Sequence, residues 1–195
     1  MRRKPLPFPV ILASVSPRRK ELLHHLVEEF LVVSAEVDEE LLTVDDPWQT
    51  AQRLAREKAF AVFSLHPESL VIGGDTVVAL QSGEGWIQLA KPSSPDQAQA
   101  MLQQLSAKTH LVITGVALRW PTGMASFTDE TKVTFRNLTD QEIKRYVETG
   151  EPMDKAGAYA IQGGAKQFVA KVEGSVNNVI GLPTEKLEEA LRDIR

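Results

Sequence analysis

Asp75 lies inside an apolar run, Leu70-Val71-Ile72-Gly73-Gly74-Asp75-Thr76-Val77-Val78. An ionised carboxylate buried alone costs several kcal/mol, so a carboxylate there must meet a metal ion, a lysine or cleft water. The flanking glycines would let a ligand or a second backbone approach closely. The competing reading is an aspartate at a strand end that caps a turn.

The second constellation is Leu12-Ala13-Ser14-Val15-Ser16-Pro17-Arg18-Arg19-Lys20-Glu21-Leu22-Leu23. A strand ends here, a small polar turn follows, and a helix starts with Ser16 as N-cap and Pro17 at its first position. A helix N-terminus favours anions, so Arg18 and Arg19 are badly placed for helix stability. Their guanidinium forks suit phosphate oxygens, and Ser14 and Ser16 offer hydroxyls. The alternative is a capped surface helix with solvated arginines.

Three further groups join these. Lys58 falls on a helix and Lys91 at a strand-to-loop boundary before Pro92. Most lysines are solvated, but loops at strand ends often carry sites. Glu36, Asp38, Glu39 and Glu40 form an acidic cluster whose oxygens suit magnesium or manganese, although such runs are commonly solvated loops. Gln162, between an apolar stretch and Gly163-Gly164, offers a paired donor and acceptor for a base edge, or forms a simple turn. The four histidines show no metal spacing and read as structural or surface residues.

The elements that must position these groups alternate. Strands are expected at 10–14, 31–35, 70–80, 86–89, 111–118 and 125–135, with short ones at 159–161 and 168–172. Helices are expected after Ser16, after Asp46-Pro47 to Leu65, after Ser94, from the Thr139–Glu142 capping box to Gly150, and from Pro183-Thr184 to Arg192. Alternating elements with two hairpins predict an α/β fold with a mixed sheet flanked by helices. The 195 residues read as one folding unit.

Composition excludes several functions. There is no cysteine, so disulfides, thiolate catalysis and cysteine metal sites are ruled out. The net charge of -4 lacks the basic surplus that long nucleic acids require, so no nucleic-acid partner is expected. The basic start, Met1 to Pro5, leads into no long apolar run, so neither a signal peptide nor a membrane span is expected. The expected setting is the cytoplasm.

Taken in order, Leu12 to Leu23, Ala55 to Ala59, Gly73 to Val78, Lys91-Pro92, Leu105 to Gly115, Asp154 to Gly163 and Gly181 to Pro183 resemble the Maf family of nucleoside triphosphate pyrophosphatases. The resemblance covers nearly the whole chain. It implies a bent mixed sheet with two lobes and a central cleft, as in inosine-triphosphatase-like folds, in one domain over residues 1–195. It also implies metal-dependent hydrolysis of a nucleoside triphosphate to monophosphate and pyrophosphate, with Mg2+ or Mn2+, by a cytoplasmic homodimer. Asp75 matches the catalytic proton acceptor, and Ser14, Arg18, Arg19, Lys58 and Lys91 match phosphate-holding positions. Asp75 and Glu39 are the expected metal ligands. Arg18, Thr76 and Gln162 match the positions that set substrate preference and resemble the dTTP and UTP branch, not the 7-methylguanosine triphosphate branch. Gly74 stands where alanine is common, a change expected to loosen a turn beside Asp75. Ala107 stands where glycine is common. A nucleotide-binding regulator of septum formation with little catalysis is the alternative.

Overall fold

The computed structural model describes residues 6–194, so the basic start at Met1 to Pro5 lies outside the described residues. Its centre is β3, Leu70–Ser82, a strand of alternating faces. Leu70, Ile72, Val78 and Leu80 point to one face, and Val71, Val77 and Ala79 to the other. Along one edge β3 pairs in parallel with β1, Val10–Ala13, which in turn pairs with β2, Leu31–Val32. Along the other edge it pairs antiparallel with β5, Thr109–Trp120, followed by β6, Gly123–Phe135, and β7, Val169–Glu173. The seventh strand, β4, Gly85–Leu89, folds back onto the far end of β3. The sheet is mixed, as the alternating pattern predicts.

Helices cover both faces. α3, Pro47–Phe63, is capped by Asp46 and lies across β3 and β5. It sits unusually close. A Cβ at Gly73 would stand 2.3 Å from the Ala55 carbonyl oxygen, and one at Gly115 would stand 2.2 Å from that of Ala51. Ala51, Ala55 and Ala59 recur every four residues, so the helix presents a smooth stripe where the sheet presents glycines. The opposite face carries two cores. α1, Pro17–His24, and α7, Thr184–Arg192, bury Leu22, Leu23, Leu187 and Leu191 over the first half of β3. α4, Pro95–Leu105, and α5, Asp140–Glu148, bury Met101, Leu102, Ile143 and Tyr146 over its second half. Ile161 packs against both cores and marks the seam between them.

Five expectations change. The strand over 31–35 stops at Val32. Val33 still donates to the Leu12 carbonyl, but the exposed edge offers nothing to hold the chain further. The acidic run is not all loop, because Asp38 caps a four-residue helix, α2, Glu39–Leu42. Tyr159 to Ile161 forms no strand. Gly157 at φ 70° and Ala158 at φ 59° turn the chain through short 3₁₀ segments at Glu151–Asp154, Ala156–Ala158 and Gly164–Phe168. A five-residue helix, α6, Val176–Ile180, capped by Ser175, was not expected. Finally, Gly74 lies inside β3 opposite Val116, not in a turn. A Cβ there would meet Arg19 at 3.5 Å, an ordinary contact, so nothing in the backbone is loosened.

Candidate active site

The sheet edge breaks at one place. β1 pairs with residues 70–73 of β3, and β4 pairs with residues 78–82. Between them, residues 74–77 have a strand neighbour only on the β5 side. Asp75 and Thr76 sit in this gap, and a cleft of about 840 Å³ opens over it, between the two cores. Ser14, Arg18, Arg19, Glu39, Lys58, Asp75, Thr76, Lys91 and Gln162 all line this one cleft.

On one face of the gap, Asp75 turns toward α3. Lys58 Nζ lies 2.6 Å from Asp75 Oδ1 and 2.6 Å from Glu39 Oε1. The carboxylate inside the apolar strand has therefore found a lysine, one of the three partners its position demands. Lys58 and Asp75 are 12% and 13% exposed, whereas Glu39, on α2, is 53% exposed. Desolvation pushes the Glu39 carboxyl up, but the Lys58 hydrogen bond and charge, with Lys91 and Arg19 beyond, outweigh it and hold the group below its ordinary range. Asp75 Oδ2 makes no hydrogen bond among the described residues, so it retains capacity to accept one from a ligand in the cleft.

On the other face stands the α1 N-terminus, with Ser16 as N-cap and Pro17 in first position. Arg19 crosses from it into the gap. Its Nε donates to the Gly181 carbonyl at 2.8 Å, Nη1 to Ser14 Oγ at 3.2 Å and Nη2 to Thr76 Oγ1 at 3.0 Å. Burial lowers its pKa from the ordinary value, opposed by the charge of Asp75. Three of five N–H donors are used, so two remain. Ser14 Oγ accepts from Arg19 and from the Ser16 N–H. With both lone pairs engaged, its own proton is left to donate to an anion in the cleft.

Arg18, Lys91 and Gln162 stand apart on the cleft walls. None of the three makes a side-chain hydrogen bond or ion pair with another described residue, and Lys91 and Gln162 are exposed. Lys155 was missed by the sequence reading. It lines the cleft with its side chain 12% exposed, donating to the Glu151 carbonyl and to Asp154. It lies within the Asp154–Gly163 stretch, but its acidic neighbours disguise it as a surface lysine. The cleft thus holds Arg18, Arg19, Lys58, Lys91 and Lys155 against Glu39, Glu40, Asp75 and Asp154. It is locally cationic in a chain of net charge -4, which suits a small polyanion.

The acidic set is limited to pairs. No three acidic or histidine side chains among the described residues gather as a metal site. His110 is buried against Tyr159, far from any such role.

The chain resembles known proteins over nearly its whole length. The family model described as Maf-like protein matches residues 9–194. A dTTP/UTP pyrophosphatase of Geobacillus sp. (strain WCH70) is 46% identical over 186 residues, covering 95% of this chain and 96% of that protein. One of Koribacter versatilis (strain Ellin345) is 44% identical over 192 residues, covering 98% and 97%. Among solved structures, the Staphylococcus aureus Ham1 protein shares the fold. Its TM-score is 0.57 at 14% identity, covering 96% of this chain and 100% of that one. With the match spanning both cores and the cleft between them, the chain belongs to the Maf-like protein family.

Proposed function

We propose that this chain is a nucleoside triphosphate pyrophosphatase acting on dTTP and UTP, releasing the monophosphate and pyrophosphate. The observation that carries the reading is the meeting of Asp75, Lys58 and Glu39 beside the Ser14–Arg19 anion grip in one cleft. The relatives named dTTP/UTP pyrophosphatase supply the substrate.

A water molecule attacks the α-phosphorus in line with the bond to the α,β-bridging oxygen. The new P–O bond forms, the bridging bond breaks, and pyrophosphate leaves with the electron pair. Asp75 takes the water's proton on the oxygen that Lys58 does not hold. Arg18, Arg19, Lys58 and Lys91 stabilise charge on the triphosphate and on the departing pyrophosphate, and Ser14 donates to a phosphate oxygen. Lys155 belongs to the same cationic wall. Gln162 and Thr76, with Arg18, favour a pyrimidine base.

A divalent ion, Mg2+ or Mn2+, belongs to this reading. The two carboxylates that converge on Lys58 fit it, because Mg2+ is commonly held by one or two carboxylates with substrate phosphates and water completing its shell. Asp75 and Glu39 would hold it, and it supplies neutralisation of phosphate oxygens. Lys58 bridges the same two carboxylates through its ammonium.

A homodimer, a cytoplasmic setting and no nucleic-acid partner complete the proposal. No described helix is long and apolar enough to cross a membrane. The test is a nucleotide panel (dTTP, UTP, CTP, ITP and 7-methyl-GTP) with pyrophosphate detection, with and without chelator. Pyrophosphate from dTTP and UTP, lost on chelation, is expected. Retained nucleotide without turnover would favour a binding regulator.

A further inference from the structure

We infer that Thr114 and Asn178, neither of which lines the cleft, are positioning residues for Arg19, acting through a one-way chain of hydrogen bonds. The inference rests on the proposed phosphate-gripping role of Arg19.

The direction of each bond follows from proton bookkeeping. Arg19 Nη2 has only protons to give, so Thr76 Oγ1 accepts at 3.0 Å. Thr114 Oγ1 gives its single proton to the Asn178 carbonyl at 2.9 Å, since a carbonyl has none. The 3.0 Å bond between Thr76 and Thr114 therefore runs from Thr76 to Thr114. The chain reads Arg19 to Thr76 to Thr114 to the Asn178 carbonyl, and no member can reverse without leaving a buried group unpaired.

Its far end is rigid. Asn178 is fully buried, and its Nδ2 donates to the Val112 carbonyl at 2.9 Å and to Thr131 Oγ1 at 3.0 Å. Thr131 in turn donates to the Ser175 carbonyl. These bonds tie α6 to β5 and β6. Three residues after Asn178, the Gly181 carbonyl holds Arg19 Nε directly. The same short segment therefore grips the guanidinium twice, once at Nε and once through the threonines. Two fixed points set the plane of a planar group, and the two unused N–H donors are aimed with it.

Thr76 is changed in meaning by this chain. Its proton points inward to Thr114, so toward the cleft it offers only a lone pair. It holds Arg19, and toward a base it can only accept, because it cannot donate while the chain is intact. A plain cross-strand threonine pair would carry no such direction. Here Thr114 and Asn178 are both 0% exposed, and water cannot replace a lost partner.

The experiment compares wild type, Thr114→Val, Thr114→Ser and Arg19→Lys, with the double variant Arg19→Lys/Thr114→Val. Rotation of the Arg19 guanidinium about its Nε–Cζ bond is followed by nitrogen NMR without substrate, and kcat/KM with dTTP is measured beside it. Thr114→Val should speed the rotation and lower kcat/KM about 10-fold, short of the roughly 100-fold that a 1 Å misplacement can cost. Thr114→Ser, which keeps the hydroxyl, should restore both to within about twofold. In the Arg19→Lys background Thr114→Val should add less than about twofold, because lysine has no plane to set. Unchanged rotation in Thr114→Val, or an equal loss of kcat/KM in both backgrounds, overturns the inference. If wild type yields no pyrophosphate from dTTP, the functional reading fails, while the NMR comparison still decides the chain.

Discussion

Lys58 Nζ meets Asp75 Oδ1 at 2.6 Å, and neither side chain is more than 13% exposed. The pair exists because α3 is pressed onto the sheet. Ala55 and Ala59 lie against Gly73, two residues before Asp75, and Lys58 is carried between them on the same helix. Closeness of helix and sheet and closeness of lysine and carboxylate are one fact.

Removing Lys58 leaves Asp75 and Glu39 as neighbouring like charges. Lys58→Met should lower kcat/KM with dTTP about 100-fold or more, the usual loss for a donor at developing charge. It should also cost about 1–3 kcal/mol of stability in urea unfolding. Mg2+ should raise the Tm of this variant more than that of wild type, because the vacated pair is left to bind the ion. An equal Mg2+ effect in both would argue against Asp75 and Glu39 as its ligands.

Gly73→Ala tests the close packing itself. The new Cβ would meet backbone atoms of α3, Ala55 O at 2.3 Å and Ala59 N at 2.7 Å, which no side-chain motion relieves. The cost should be roughly 3 kcal/mol, at the upper end for overpacking. Gly74→Ala, whose Cβ would meet only ordinary contacts at 3.5, 3.6 and 3.7 Å, should cost under about 1 kcal/mol. The pair of urea midpoints checks both.

Ala107 adopts φ 56°, a left-handed backbone disfavoured for a residue with a Cβ. That costs about 1–2 kcal/mol, offset in part by the greater chain entropy glycine loses on folding. Ala107→Gly should therefore stabilise by about 0.5–1 kcal/mol and leave turnover unchanged, as thermal unfolding and pyrophosphate release would show.

His110 sets an acid limit on the fold. It is 1% exposed, bonds Tyr159 Oη at 2.8 Å, and burial pulls its pKa from 6.5 down to about 4. Below pH 6.5 the unfolded chain takes up a proton that the native protein refuses until about pH 4. Stability from this group is intact above 6.5 and is lost as pH falls toward 4, by roughly 3 kcal/mol in all. His110→Gln should flatten that part of the pH–stability curve.

Much of the candidate site's geometry was legible in the residues. Asp75 in an apolar strand demanded a partner, and Ser16-Pro17 marked a helix start beside two misplaced arginines. What escaped lies where local pattern is silent. The 156–164 segment turns on positive φ at Gly157 and Ala158, so no strand forms and Gln162 reaches the cleft from a loop. Thr114 and Asn178 look like ordinary strand and turn residues; only the fold brings them to Arg19 through Thr76. Lys155 was hidden by its acidic neighbours, and the break between β1 and β4 along β3 depends on pairings distant in sequence.

In the proposed mechanism Asp75 takes the proton of the attacking water. Turnover of dTTP by Asp75→Asn, with saturating Mg2+ and pyrophosphate detection, tests it most directly. Asparagine keeps the size and cannot accept that proton, so kcat should fall about 1,000-fold, within the range of general base catalysis, while the fold persists. Activity within about threefold of wild type would contradict the account.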